Sequence, residues 1–199
     1  NILFFVDAIQ SLGALKLDVE KAHIDFLSAD AHKWLLGPEG TGIFYCAKKA
    51  MRHVTVNNLG WASVINPEDY LSYDPTPLPN AQRFESGTLN TAGIYGLKAS
   101  LDLIQQLGIE NIESRIMILT DQLVAGLQEK GYQVISSRKK GEKSGIVSFY
   151  HPKQILDDLF LILQENHIIC AQRGNGIRLS PHVYNTEEEI DQILNVLPE

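Results

Sequence analysis

Two residues in the first 33 have types that could do chemistry together. Asp7 closes the apolar run of residues 2–6, and Lys33 follows a second apolar, β-rich run over residues 24–29. The connection between them, residues 8–22, is long enough for a crossover, so the two runs read as neighbouring parallel strands. In open α/β sheets ligands bind outside the carboxyl ends of the strands. An acid and an amine would then face one crevice. Pyridoxal phosphate (PLP) chemistry needs that pair: a lysine to form the Schiff base, and a carboxylate to hold the pyridine nitrogen protonated as an electron sink. An aspartate capping the crossover and a surface lysine before a turn would produce the same spacing, so the pair alone leaves both readings open.

The elements that must position these residues follow from the local pattern. Residues 2–6 suit a strand covered on both faces. A turn-rich link at 37–42, Gly-Pro-Glu-Gly-Thr-Gly, is too short for a second parallel crossover, so the strand over 43–46 should run antiparallel. Residues 55–82 show no clear period and contain Pro67, Pro75, Pro77 and Pro79, the signature of a functional loop or linker. A helix of about 17 residues starts at Thr91, with Ile94, Leu97, Leu101 and Ile104 on one face and Gly108 as its cap. A second covers about 110–130, with Ile112, Ile116, Leu119, Leu123 and Leu127 at helical spacing. Strands are expected at 132–136, 145–150, 168–171 and 177–180, and a helix over 153–166 with Pro152 in its first turn. A last helix opens with Thr186 and Glu189 spaced as a capping box. The expected fold class is α/β: part of a mainly parallel sheet over residues 1–90, then a small α+β domain over 91–199, with the 91–107 helix bridging them.

Composition narrows the function. The hydrophobic fraction of 44% and charged fraction of 21% are those of an ordinary globular protein. A net charge of −7, with basic residues grouped only at Arg138, Lys139 and Lys140, argues against nucleic acid. The histidines lack metal-ligand spacing, and Cys46 and Cys170 form neither a disulfide framework nor a zinc pattern, so no metal is expected and a reducing cytoplasm is. No apolar run has transmembrane length. The chain enters directly into a core-like strand after Asn1, which reads as a piece of a longer protein.

Longer sequence words decide between the two readings of Asp7 and Lys33. Val6-Asp7-Ala8-Ile9-Gln10-Ser11-Leu12-Gly13, Ser28-Ala29-Asp30-Ala31-His32-Lys33-Trp34, Arg83-Phe84-Glu85-Ser86-Gly87-Thr88-Leu89-Asn90 and Arg178-Leu179-Ser180-Pro181-His182 span nearly the whole chain in family order. Together they resemble the class V aminotransferases of PLP fold type I, a group that includes cysteine desulfurases, selenocysteine lyases and isopenicillin-N-epimerase-like enzymes. The resemblance implies that Lys33 is the Schiff-base lysine, that Asp7 pairs with the pyridine nitrogen, and that Gln10 hydrogen-bonds the phenolic oxygen. It also implies that His32 helps bind the phosphate, and that Thr88 reaches the phosphate of a neighbouring subunit's cofactor in a homodimer with shared sites. Residues 1–90 would then be the carboxyl-terminal part of a PLP-binding large domain.

Arg178 alternates with Ile177 and Leu179, so it faces away from their apolar side and can grip a carboxylate with two parallel hydrogen bonds. By the resemblance it holds the α-carboxylate of a small amino-acid substrate. Arg173, in a glycine-flanked turn, reads as solvated. The link at 37–42 has neither dinucleotide nor P-loop spacing; Trp34 and Trp61 read as packing residues, Trp61 with a place near a pocket.

Two features depart from the desulfurase pattern. Desulfurases often carry a nucleophilic cysteine on a mobile loop upstream of the substrate arginine. Here Cys170 lies eight residues before Arg178, within an apolar run, an environment that disfavours a thiolate. Asp30 stands where a phosphate-binding serine is usual, a pattern shared with the epimerase-like branch. The expected activity is transamination or β-elimination on a small α-amino acid. The rival is a truncated, non-catalytic piece that only dimerises or binds a partner, since the upstream half of the family fold supplies ring-stacking and phosphate-binding groups.

Overall fold

The computed structural model describes residues 2–72 and 74–199, which cluster into two compact units. Among the described residues, the first holds those within 2–12 and 17–103, and the second holds 13–16 and 104–199.

In the first unit, β1 (Phe5–Asp7) runs parallel to β2 (Phe26–Asp30), with Asp7 opposite Ser28. β3 (Gly42–Cys46) runs antiparallel on the other side of β2, with Asp30 opposite Gly42. Both directions follow from connection length. The described part of this sheet thus holds one parallel and one antiparallel pair, as the link lengths predict. Ile2, Leu3, Phe4 and Phe5 are 96%, 45%, 50% and 55% exposed, so nothing among the described residues covers the run over 2–6. Its entry is nevertheless pinned, because the Phe4 N–H donates to Asp25 Oδ2 at 3.0 Å.

The crossover over 8–22 is built from turns, and fully buried Ala8 at its start packs with Ile24, Leu27 and Ala29. Residues 55–82 form an ordered excursion. Val64 bridges Pro77, the Leu78 N–H donates to Ser63 O at 2.9 Å, and buried Ser63 exchanges two hydrogen bonds with Gly60. Tyr73, inside this stretch, lies outside the described residues.

Helix α1 (Thr91–Leu107) begins where the sequence places it. Asn90 caps it by accepting the Gly93 N–H at 3.0 Å. Leu97 and Ile104 are buried, whereas Ile94 is 43% exposed. The division between the units falls within this helix, after Leu103.

In the second unit, α2 (Ile109–Glu129) buries the entire predicted row Ile112, Ile116, Leu119, Leu123 and Leu127. β4 (Gln133–Val134), β5 (Val147–Tyr150), β6 (Ala171–Arg173) and β7 (Gly176–Leu179) form an antiparallel sheet in the order β4-β5-β7-β6. Helices α3 (Leu156–Glu165) and α4 (Glu187–Val196) accompany it. The Thr186–Glu189 capping box forms at the head of α4.

Of the boundaries that differ from the sequence pattern, those of α3 and β6 have a visible cause. α3 starts three residues late, because His151 accepts the Lys153 N–H on Nδ1 and the Gln154 N–H on its carbonyl, holding Pro152 in a turn ahead of the helix. β6 lies three residues further along than 168–171. The Ile168 N–H is spent on Leu163 O at the end of α3, and the hairpin through Gly174 (φ 57°) sets Arg173 opposite Gly176. Among the described residues no helix is long and apolar enough to cross a membrane.

Candidate functional site

Asp7 ends β1 at the edge of the sheet, exposed, where its Oδ1 accepts the Ile9 N–H at 3.1 Å. The chain then turns across the end of β2, with the Ala8 N–H on Ser28 O at 2.8 Å. Gln10 lies on this turn and accepts the indole N–H of Trp34 on Oε1 at 3.2 Å. That bond joins the turn after β1 to the turn after β2, so Asp7, Gln10 and Lys33 share one end of the sheet.

The Lys33 turn is built by backbone. The Gly37 N–H donates to Ala31 O at 2.8 Å and the Leu36 N–H to Lys33 O at 3.0 Å. Leu36 is held at φ 57°, a left-handed conformation that costs a branched residue about 1–3 kcal/mol. Ser100 on α1 secures it by donating to Leu36 O at 2.8 Å. Trp34 and Leu35 are buried at 5% and 3% exposure and anchor the loop. Lys33 itself is half-buried, and its amine has no hydrogen-bond or ion-pair partner among the described residues. His32 is exposed.

A cleft of about 520 Å³ opens at the same strand ends, lined by Asp7, Ser28, Asp30, Phe44, Gln82 and Glu85 among others. Lys33, Gln10 and His32 do not line it. Three carboxylates and no cation line it, so this cleft alone is a poor place for a phosphate. Asp30 Oδ1 stands 3.4 Å from where a Cβ on Gly42 would be, over β3.

Thr88 is exposed, three residues before α1. The first N–H groups of that helix are partly spent, Thr91 on Leu89 O and Gly93 on Asn90 Oδ1. Asn90 also ties the 37–42 link, donating to Gly40 O at 3.2 Å and Thr41 Oγ1 at 3.1 Å. Sequence reasoning missed this tie, although an Asn three residues before Gly93 at a helix start is a legible capping signal. It also missed Leu36 and Ser100, which carry no local signal.

Arg178 belongs to the second unit. It sits mid-strand on β7, opposite Ser148 on β5 and Ala171 on β6, while its neighbours Ile177 and Leu179 are buried. Arg178 is half-buried, and its guanidinium has no hydrogen-bond or ion-pair partner among the described residues. Arg173 is exposed beside the hairpin turn. Trp61 lines a separate concavity in the 55–82 excursion with Leu59 and Tyr70. Burial raises the thiol pKa of both Cys46 and Cys170. Among the described residues no group of three or more His, Cys, Asp or Glu is placed to hold a metal ion.

The aminotransferase class-V family model matches residues 1–193. The chain belongs to that family. Its relatives include a probable cysteine desulfurase of Pyrococcus abyssi, 34% identical over 99% of this chain and 52% of the relative. The chain spans about half the length of the curated relatives it matches. Among solved structures, the apo cysteine desulfurase of Thermococcus onnurineus superposes with a TM-score of 0.87 at 29% identity, over 98% of this chain and 51% of that one. The cystine C–S lyase C-DES, in complex with its product cysteine persulfide, superposes at 0.81 with 27% identity, over 94% and 49%. A C-DES variant carries glycine covalently linked to its pyridoxal-phosphate cofactor. Membership of the family indicates the same cofactor here. The residues fit it in chemical type: at one end of the sheet stand an amine with no partner and an acid in no ion pair, both among the described residues.

Proposed function

We propose that the chain carries the cofactor-anchoring half of a PLP-dependent enzyme that cleaves the Cβ substituent of a small α-amino acid, with cysteine or a related sulfur amino acid as first candidate. The observation that supports this most is half-buried Lys33, whose amine has no partner among the described residues, on a turn joined to Gln10 just beyond Asp7. Bound PLP supplies an electron sink for bond breaking at the substrate α-carbon. Lys33 would hold the cofactor and would move the proton at the substrate Cα. Asp7 keeps the ring nitrogen protonated, Gln10 donates to the phenolic oxygen, and His32 serves the phosphate. Thr88 serves the phosphate of the partner subunit's cofactor, which makes the enzyme a homodimer. Residues 1–90 complete the cofactor-binding domain, and 91–199 form the small domain that presents Arg178 to the substrate carboxylate.

Elimination is favoured over a route through an enzyme-bound persulfide, because burial raises the Cys170 thiol pKa, away from the thiolate that route needs. In the full-length protein Cys170→Ser should therefore release sulfide from cysteine at the wild-type rate; a lost activity would restore the persulfide route. The non-catalytic alternative finds less support, since neither Lys33 nor Arg178 makes a side-chain hydrogen bond or ion pair among the described residues.

The deciding experiment is reconstitution of the full-length protein with PLP, followed by sulfide, pyruvate and keto-acid assays on cysteine, cystine and alanine. Sulfide and pyruvate from cysteine support the reading; failure to take up PLP sinks it. Arg178→Lys keeps the charge but loses the planar fork. One lost charge-assisted hydrogen bond costs about 1.5–3 kcal/mol, so KM for the amino acid should rise about 10- to 150-fold with little change in the cofactor's absorbance. An unchanged KM would remove Arg178 from the substrate site.

A further inference from the structure

We propose that Trp34 is a positioning residue that sets which end of the Gln10 amide is offered to the cofactor, an inference that rests on the PLP reading above. An indole nitrogen can only donate. The 3.2 Å contact from Trp34 Nε1 therefore assigns the near atom of Gln10 as Oε1, a choice made by chemistry. The only donors Gln10 has left are its two amide hydrogens. An acceptor, such as the phenolic oxygen of the cofactor, is what that group can receive; a donor would meet no free face of the amide except the lone pair on the Trp34 side.

The holder is stiffer than the group it holds. Trp34 is 5% exposed, follows Lys33 directly, and belongs to the turn closed by the Leu36–Lys33 and Gly37–Ala31 backbone bonds. Gln10 is half-buried on a turn, with three side-chain torsions to fix. A rigid buried donor next to the anchoring lysine thus orients a mobile amide from the neighbouring strand end, and couples the two turns. Deleting the indole N–H leaves Gln10 in place but lets its oxygen and nitrogen exchange positions.

The test is the pH midpoint of the visible absorbance band in PLP-loaded full-length protein, for wild type, Trp34→Phe, Gln10→Ala and the double variant. Trp34→Phe should move the midpoint in the same direction as Gln10→Ala, by about half a unit or more, and should add nothing in the Gln10→Ala background. A midpoint unmoved by Trp34→Phe, or a shift that simply adds to that of Gln10→Ala, overturns the proposal. If Trp34→Phe does not fold, a benzothienylalanine at position 34 replaces the N–H with sulfur at constant shape and is read by the same two outcomes. A midpoint unmoved by Gln10→Ala removes Gln10 from the cofactor and overturns the proposal with it. A wild-type protein with no visible band overturns the PLP reading itself.

Discussion

Lys33→Ala in the full-length protein should abolish the covalent cofactor band and lower turnover by at least about 10²–10⁴-fold, the range for losing a positioned proton-transfer group. The fold should survive the change. The turn that carries Lys33 is closed by the backbone N–H groups of Leu36 and Gly37 and anchored by Trp34 and Leu35, and the lysine amine supports none of these contacts. Unfolding midpoints of the variant and wild type should therefore coincide while absorbance and activity part. Arginine should not substitute, because its guanidinium stays protonated and cannot act as the nucleophile. A Lys33→Ala protein that keeps the covalent band would move the anchoring role to another residue.

The largest effect on stability is expected in the second unit. Phe149 is fully buried at the centre of β5 and packs edge-on against Tyr132, with ring centroids 5.6 Å apart. Phe149→Ala removes that packing and leaves a cavity, at a cost of about 3–5 kcal/mol. Domains of this size hold only about 5–15 kcal/mol in total, so the variant should unfold far earlier in urea. Phe149→Leu should cost less, about 1.5 kcal/mol or below if the core repacks. Equal losses for the two variants would show that the aromatic contact, rather than cavity size, dominates.

These two variants fall on opposite sides of what could be read locally. The core of α2 was legible because five aliphatic residues recur at 3–4-residue spacing, and a helix face obeys that period wherever it is placed. Strand directions in the first unit were legible because loop length limits how strands can pair. The burial of residues 2–6 was not, since an apolar run records a preference for cover and does not say what provides it. The β6 boundary was missed because one N–H, that of Ile168, was claimed by the end of α3.

By itself the sequence determined the residue types of the proposed site and their order along the chain: Asp7, Gln10, Lys33, Thr88 and Arg178, in words that mark the class V aminotransferases. Those are properties of covalent connectivity and side-chain chemistry. Only the tertiary structure decided how the first three are held: that Trp34 reaches Gln10 across two turns, that Leu36 is kept left-handed by Ser100, and that Asn90 ties a helix start to a loop fifty residues earlier. Hydrogen bonds of that kind join residues 24 to 64 positions apart. No local period or propensity encodes them, because they exist only after the sheet has brought the two strand ends together.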